Sequence, residues 1–444
     1  MNKTFPKSKW TVLILFGLVG QIAWSVENMY FNLFVFETVA PSLDTVTLMV
    51  QLSGIVATVA TLIIGALSDK IGNRRSFISI GYIIWGVTVA LFGYMSPSLT
   101  ASVFNIDMAR AVSVTLVAVV VGDCVMTLFG SGANDASFNA WVTDNTDKEY
   151  RGTVEGVLSI LPLAAMLIVA GGFGILVEAM GYSTLFLVLG IVISLCGVGG
   201  IFLVKDSDTL ERSGSLKDIF YGFKPSSVKK NVPLYLTLCL VMVYGIATQT
   251  FMPYLIIYMK TYLGFSVMEY SVVFGACIIL GALINLYLTR LSDKKDKTLM
   301  LYIACGVFTL GLFGMFIFNS GSKAALLITF GLAGFVMITG YILVSALCGS
   351  VTRDYTPTDA VGKLQGVRMV FSVLIPMVVG PMIGNAINRA RNIPLPDLGS
   401  ADTMTTQFIP APEIFLAASL ISLAMIGLIP LLRKSIKAGG KNEA

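Results

Sequence analysis

Histidine is absent from all 444 residues. With it go the commonest metal ligand and the side chain that ordinarily titrates near neutral pH. Metalloenzymes and histidine-based triads are therefore excluded, and any proton chemistry falls to carboxylates. Charge is scarce too: 12% of residues are Asp, Glu, Lys or Arg, about half the share of a soluble domain. Against this, 56% are hydrophobic and the mean hydropathy is +0.83, so most of the chain cannot face water. Soluble enzymes and disordered chains are excluded. The six cysteines, Cys124, Cys196, Cys239, Cys277, Cys305 and Cys348, all lie in apolar runs and read as small core side chains, not as a secreted disulfide framework. The net charge of +5 does not describe a nucleic-acid surface, because the basic residues are split into short clusters between apolar segments. That distribution fits membrane topology.

A helix that crosses about 30 Å of hydrocarbon needs about 20 apolar residues. Twelve runs qualify, at 10–36, 44–67, 76–96, 111–141, 152–178, 183–204, 233–260, 267–290, 298–319, 323–350, 361–388 and 412–432. The first follows Lys3, Lys7 and Lys9, but no small-residue cleavage site comes after it before Glu27, Asn28 and Asn32, so it reads as a retained span. With the amino terminus inside, all but Arg110, Lys260, Lys323, Arg389 and Arg391 of the 30 Lys and Arg residues fall on the inner side. Both termini are thus expected in the cytoplasm. The domains expected are a six-helix bundle at 1–204, a cytoplasmic linker at 205–232, a second bundle at 233–432 and a tail at 433–444. In the linker, Leu216, Ile219, Phe220 and Phe223 recur at helical spacing beside Lys217 and Lys224, which fits either a short helix on an anionic leaflet or a plain connection. The outer connection 389–411 reads as an irregular loop.

The two halves repeat one another. Leu67-Ser68-Asp69-Lys70 recurs as Leu291-Ser292-Asp293-Lys294 and Tyr30 as Tyr254, both at an offset of 224. Asp144 matches Asp354, and Gly152 and Gly156 match Gly362 and Gly366, at an offset of 210. The change of offset places extra residues near 97–115 in the first half. Duplicated parallel bundles are an architecture of alternating-access carriers, in which one bundle rocks against the other around a midplane site.

The run Gly65, Asp69, Gly72, Arg74, Arg75 resembles the loop 2–3 signature of the major facilitator superfamily, with Asn73 standing at its first basic place. The resemblance implies an all-α fold of twelve transmembrane helices in two six-helix bundles, and a latch role for Asp69 against the start of helix 11. Within that superfamily, Gly20, Gln21, Trp24, Ser25, Glu27 and Asn28 of helix 1, with Asn134, Asp135, Phe138, Asn139 and Trp141 of helix 4, are similar to glycoside–pentoside–hexuronide symporters and plant sucrose carriers. Such carriers move sugars or glycosides with a proton or sodium ion. Sodium-coupled members carry acids in helix 2, and 45–67 holds none, which favours a proton.

Ionisable groups inside the membrane are costly, and those present usually face a cavity and act there. Glu27 lies 18 residues from Lys9, and Asp123 18 from Trp141, so both stand about 27 Å from their inner ends. On helix 4, Asp123, Thr127, Gly130, Asn134 and Trp141 share one stripe. On helix 1, Gln21, Trp24, Ser25, Asn28 and Asn32 share a face, and Glu27 points about 100° away from Asn28. Amides match sugar hydroxyls, and an indole covers the apolar face of a pyranose; the same amides could instead hold helices together. A carboxyl among apolar side chains favours its protonated form, so Asp123, then Glu27, are the candidate proton carriers, with a purely structural role as the alternative. At the repeat offset, Asp123, Asn134 and Asp135 fall on Ala333, Val344 and Ser345, which confines coupling to the first half. Gln249 and Tyr341 are the second-half candidates for substrate.

Asp69, Arg74, Arg75, Asp135, Arg151, Glu155 and Arg368 are expected at an inner gate of opposite charges. Arg151 and Glu155, four apart, could equally pair on one helix, and Arg368 could meet substrate. The expectation is a non-enzymatic monomeric carrier in a bacterial plasma membrane that imports a saccharide with a proton, sodium being the less favoured ion. The alternative is a proton-driven exporter of amphipathic molecules. No cofactor, metal or nucleic acid is expected; membrane lipid is.

Overall fold

The computed structural model describes residues 6–146, 150–207, 221–292, 296–357, 361–395 and 407–439, and within them not the side chains of 151, 152, 155, 289–292 and 361–363. Twelve helices organise the chain: α1 (Lys7–Val39), α2 (Leu43–Ile71), α3 (Arg74–Phe92), α4 (Met108–Asn145), α5 (Arg151–Ile168), α6 (Gly174–Leu203), α7 (Val232–Thr261), α8 (Val267–Ser292), α9 (Lys297–Ile317), α10 (Lys323–Tyr355), α11 (Leu364–Arg391) and α12 (Glu413–Gly439). The linker stretch with Leu216, Ile219 and Phe220 lies outside the described residues, as do Asp293 and Lys294 of the repeat.

Eleven helical stretches among the described residues are long and apolar enough to cross a membrane. One of them, Gly156–Leu203, runs for 48 residues, about 72 Å at α-helical rise and more than twice the hydrocarbon thickness. It cannot be a single crossing. Its direction changes at Gly181, where φ is 76° and ψ 163°, a region essentially reserved for glycine. The break falls between the fifth and sixth expected spans, so the described residues hold twelve helical segments where the unbroken stretch would give eleven. Replacing Gly181 with Ala should destabilise the protein by about 1–3 kcal/mol; an unchanged thermal midpoint of the purified protein would show that the turn does not depend on that dihedral.

Local signals set the other ends. Ser42 accepts a hydrogen bond from the Thr45 amide at the start of α2, Asn73 from Ser76 at α3, Asp107 from Arg110 at α4, and Asp296 from Thr298 at α9, each satisfying a donor the helix leaves open. A short helix, Pro97–Phe104, stands before α4 and is tied to it by Thr115 Oγ1 donating to Thr100 Oγ1 at 2.7 Å. It occupies the stretch where the repeat offset changes. Pro253 sits in a tight turn of α7 at Met252–Tyr254, and Pro376 follows a wide turn of α11 at Val370–Leu374. Pro162 lies inside α5, which stays helical through it.

The chain divides into two compact units, Met1–Asp218 and Ile219–Ala444. In the first, α1 packs on α5 and α6, α2 on α4, and α3 on α4 and α6. The second repeats this six helices later, with α7 on α11 and α12, α8 on α10, and α9 on α10 and α12. Each unit buries aromatic side chains inside: Phe16, Phe31, Tyr82, Trp85, Phe92 and Phe186 in the first, Phe251, Tyr258 and Phe308 in the second. Outward positions are apolar as well, Phe202 being 76% exposed, as expected of surfaces that meet lipid.

The connection after α11 is more ordered at its ends than the irregular loop expected from its composition. Ile393 pairs with Ile409 and Pro394 with Phe408 in a two-stranded antiparallel ladder, β1 (Ile393–Pro394) with β2 (Phe408–Ile409). Asn388 Oδ1 accepts from the Ala411 amide at 2.8 Å, and Arg391 pairs with Glu413. Residues 396–406 between them lie outside the described residues.

Candidate functional site

The polar groups of the first unit gather where α1 and α4 depart from regular winding. α1 widens into π-turns at Glu27–Phe31 and Val35–Val39, and α4 does so at Ser131–Phe138. Such turns shift the helix face and frequently mark functional positions. Side chains bind the backbone around them: Asn28 Nδ2 donates to Trp24 O at 2.8 Å, Asn32 Nδ2 to Asn28 O at 3.0 Å, and Ser137 Oγ to Gly132 O at 2.8 Å. Two amides expected to meet substrate thus each commit one N–H to their own helix. Asn32 is buried; Gln21, Trp24 and Asn28 are half-buried.

The extra residue in the turn carries Glu27 toward α4. Thr127 Oγ1 donates to Glu27 Oε1 at 3.0 Å, and one turn along α4 the Asp123 carboxylate accepts from Ser53 of α2. Glu27 is 8% and Asp123 2% exposed, and each leaves one buried oxygen, Oε2 and Oδ1, with no partner. The two carboxyls lie within electrostatic reach of each other. No ion pair among the described residues includes either. Such an arrangement cannot hold two full charges at low cost, because buried ions need compensation.

Further along α4, Gly130 faces the indoles of Trp24 and Trp85, whose rings lie 5.0 Å apart. Asn134 crosses the α1 backbone at Gly20; any Cβ there would overlap the Asn134 amide and crowd the Tyr82 hydroxyl. Tyr82 OH in turn donates to Phe16 O at 2.8 Å. Asn134 is buried with Nδ2 unpartnered. Asp135, expected among the inner-end charges, lies deeper in the structure. It stands ten residues before the end of α4, half-buried, beside Trp24 and Ser131 and within electrostatic reach of Glu27 and Tyr82. Trp141 closes the stripe: its Nε1 donates to Lys205 O at 2.8 Å, which is an anchoring contact.

In the second unit, Tyr244 OH donates to Tyr341 O at 3.1 Å, and the two rings lie 5.5 Å apart. Gln249, half-buried, packs against Gly380 of α11, where a Cβ would fall 2.5 Å from its own. Arg368 is half-buried as well, and its carbonyl accepts from Ser372 Oγ at 2.7 Å.

The helix ends around the α2–α3 turn carry ion pairs. Arg74, expected among the gate charges, is a buried hub. Its guanidinium reaches Asp69, Asp144 at 3.0 Å and Ser68 Oγ at 2.7 Å, and its side chain is 6% exposed. Arg75 fastens the start of α3 to the end of α6, through its amide to Asp206 Oδ1 at 3.0 Å and its side chain to Ile201 O. The second unit repeats the design: Lys297 pairs with Asp354 at 2.5 Å, as Arg74 pairs with Asp144, and Arg433 of α12 reaches Asp296 at 3.0 Å. The side chains of Arg151 and Glu155 lie outside the described residues.

Residues 13–384 match the family model described as Major Facilitator Superfamily. The chain belongs to that superfamily. Solved structures share its fold: a mutant of the nucleoside transporter NupG superposes with a TM-score of 0.68 at 10% identity, covering 96% of this chain and 100% of that one. A bacterial homolog of the human lysosomal transporter Spinster, captured inward-facing and unoccupied, gives 0.68 at 14% identity over 97% and 98%. At such identities the likeness is one of fold. No curated protein matches the sequence.

Membership places this major facilitator protein among integral membrane transporters of small molecules. The reading from sequence missed Ser53, the α2 partner of Asp123, because the search of helix 2 was for acids. A lone serine among apolar neighbours was the signal available. Tyr82 and Trp85 were passed over too, being indistinguishable from core aromatics until α1 and α4 were seen to close on them.

Proposed function

We propose that this protein is a secondary active transporter that imports a sugar or glycoside together with a proton by alternating access, from a bacterial plasma membrane in which both termini are cytoplasmic and the chain acts as a monomer. The observation that carries the reading is the pair of buried carboxyls, Glu27 with Thr127 and Asp123 with Ser53, lacking a cation and each retaining an unpartnered oxygen. The second unit supplies an internal comparison. At the repeat offsets, Glu27, Ser53, Asp123 and Thr127 become Phe251, Cys277, Ala333 and Met337, all buried, in helices that pack in the same pairs. Helix packing of this kind does not require the acids, which favours a role in coupling over one in assembly.

Gln21, Trp24, Asn28, Asn32 and Asn134 of the first unit and Gln249 and Tyr341 of the second are the proposed substrate contacts. The half-buried α1 face with its indole suits a neutral polyhydroxylated ring better than a lipophilic cation. NupG and the Spinster homolog, alike in fold alone, do not choose among substrates.

The test is the external pH of de-energised proteoliposomes during addition of mono- and disaccharides, with and without sodium. Sodium-independent alkalinisation by one sugar is expected. Silence throughout, with expulsion of lipophilic cations under an imposed proton gradient, would replace the symporter by an exporter.

A further inference from the structure

The first unit holds a third carboxyl that the coupling pair does not use. Asp135 lies twelve residues beyond Asp123 on α4, roughly 18 Å further along it. Glu27 stands between them in depth, fixed to α4 at Thr127. The groups around this column can be named from each packed element: Glu27 and Trp24 from α1, Ser53 from α2, Tyr82 from α3, and Cys124, Thr127, Ser131 and Asn134 from α4 itself. No lysine or arginine among the described residues pairs with any of the three acids. Unpartnered atoms that are buried flank the column along its length, Asp123 Oδ1, Glu27 Oε2 and Asn134 Nδ2. In the second unit the position of Asp135 is taken by Ser345, so the whole column is missing there.

We propose that Asp135 is the inner station of a proton path through the first unit, which descends from Asp123 beside Ser53, to Glu27 beside Thr127, to Asp135 beside Trp24. The inference rests on the proton-coupled reading above and goes beyond it by giving the proton an exit. In the first transfer the O–H bond of the Asp123 carboxyl breaks and one forms on Glu27. The Thr127 hydroxyl can serve as the bridge, accepting on its oxygen while handing its own proton to Oε1. In the second transfer the O–H bond on Glu27 breaks and one forms on Asp135, a bridging water accepting the proton from Glu27 while handing one of its own onward, and Asp135 then releases the proton toward the inner side. Charge moves with the proton alone, and no oxidant or reductant is involved. The Trp24 indole, lying beside both Asp135 and the proposed sugar face, places the exit next to the substrate.

The experiment uses full-length protein in proteoliposomes with a trapped pH dye, and the sugar that alkalinises the medium with the unmodified protein. Asp135→Asn should slow sugar-driven proton entry by about a hundredfold, the usual scale of a positioned acid or base. Sugar-for-sugar counterflow should persist, and its dependence on lumenal pH should flatten. Asp135→Glu should restore both. Proton entry at the ordinary rate in Asp135→Asn would overturn the path while leaving coupling at Asp123 intact. Loss of counterflow in both variants would also overturn it, assigning Asp135 to folding or substrate binding. A lack of proton entry with the unmodified protein would remove the coupled reading and the path together.

Discussion

Asp123→Asn should abolish uphill accumulation and leave exchange of substrate across the membrane intact. A driving force of 100 mV on one charge is worth about 2.3 kcal/mol, about a 50-fold gradient at tenfold per 1.4 kcal/mol. The variant should bring the ratio of internal to external substrate to unity, while counterflow continues and no longer responds to pH. The expectation rests on shape and chemistry together. Asparagine keeps the volume of the carboxyl and can still accept from Ser53 Oγ, so the α2 contact with α4 survives. What it loses is the ability to bind and release a proton. If the carboxyl were only an anchor for Ser53, Asn would serve as well, and accumulation would be unchanged. Glu27→Gln is the companion: it too keeps its contact with Thr127, and a selective loss of accumulation there would make the pair, not one residue, the coupling unit.

The span pattern was legible because it rests on hydropathy and on positive charge alone, properties each residue carries without its neighbours. The twofold repeat was legible for a similar reason, since Asp69 with Asp293 and Asp144 with Asp354 needed only counting. The pairing of Ser53 with Asp123 was not, because it depends on the rotation of α2 against α4, which no periodicity within one helix reports. The π-turns at Glu27 and at Ser131 made matters harder: each adds a residue to a turn, so an ideal 100° wheel misplaces the residues beyond it. Asn28 and Asn32 show a second use that the wheel does not report. On the wheel they were donors aimed at a cavity; in the structure they bind carbonyls four residues back, a use open to any short polar side chain in a helix. Arg74 misled differently. Positive-inside bias concerns only the side of the membrane a charge prefers and says nothing about its burial.

That burial sets up the other large effect. Arg74→Ala should destabilise the protein by about 1.5–3 kcal/mol, the scale of a hydrogen bond to a charged group, since Asp144, Asp69 and the Ser68 hydroxyl all lose their shared buried donor, while the two carboxylates, 24% and 40% exposed, regain water in part. The matching change in the second unit should barely register. Lys297 and Asp354 are 33% and 46% exposed, and an exposed pair contributes up to about 1 kcal/mol. The repeat thus offers one interaction in two dielectric settings, inside a single molecule, with the same helix ends joined in each. Unfolding of the purified variants by heat or denaturant measures the contrast. Adding Asp144→Ala to Arg74→Ala should cost less than the two separate losses summed, because the second change removes a carboxylate already stranded by the first. Equal destabilisation by Arg74→Ala and Lys297→Ala would mean that water reaches the Arg74 cluster. The first unit's inner end would then be held by helix packing, with α3 and α4 closed on each other through apolar contact rather than through charge.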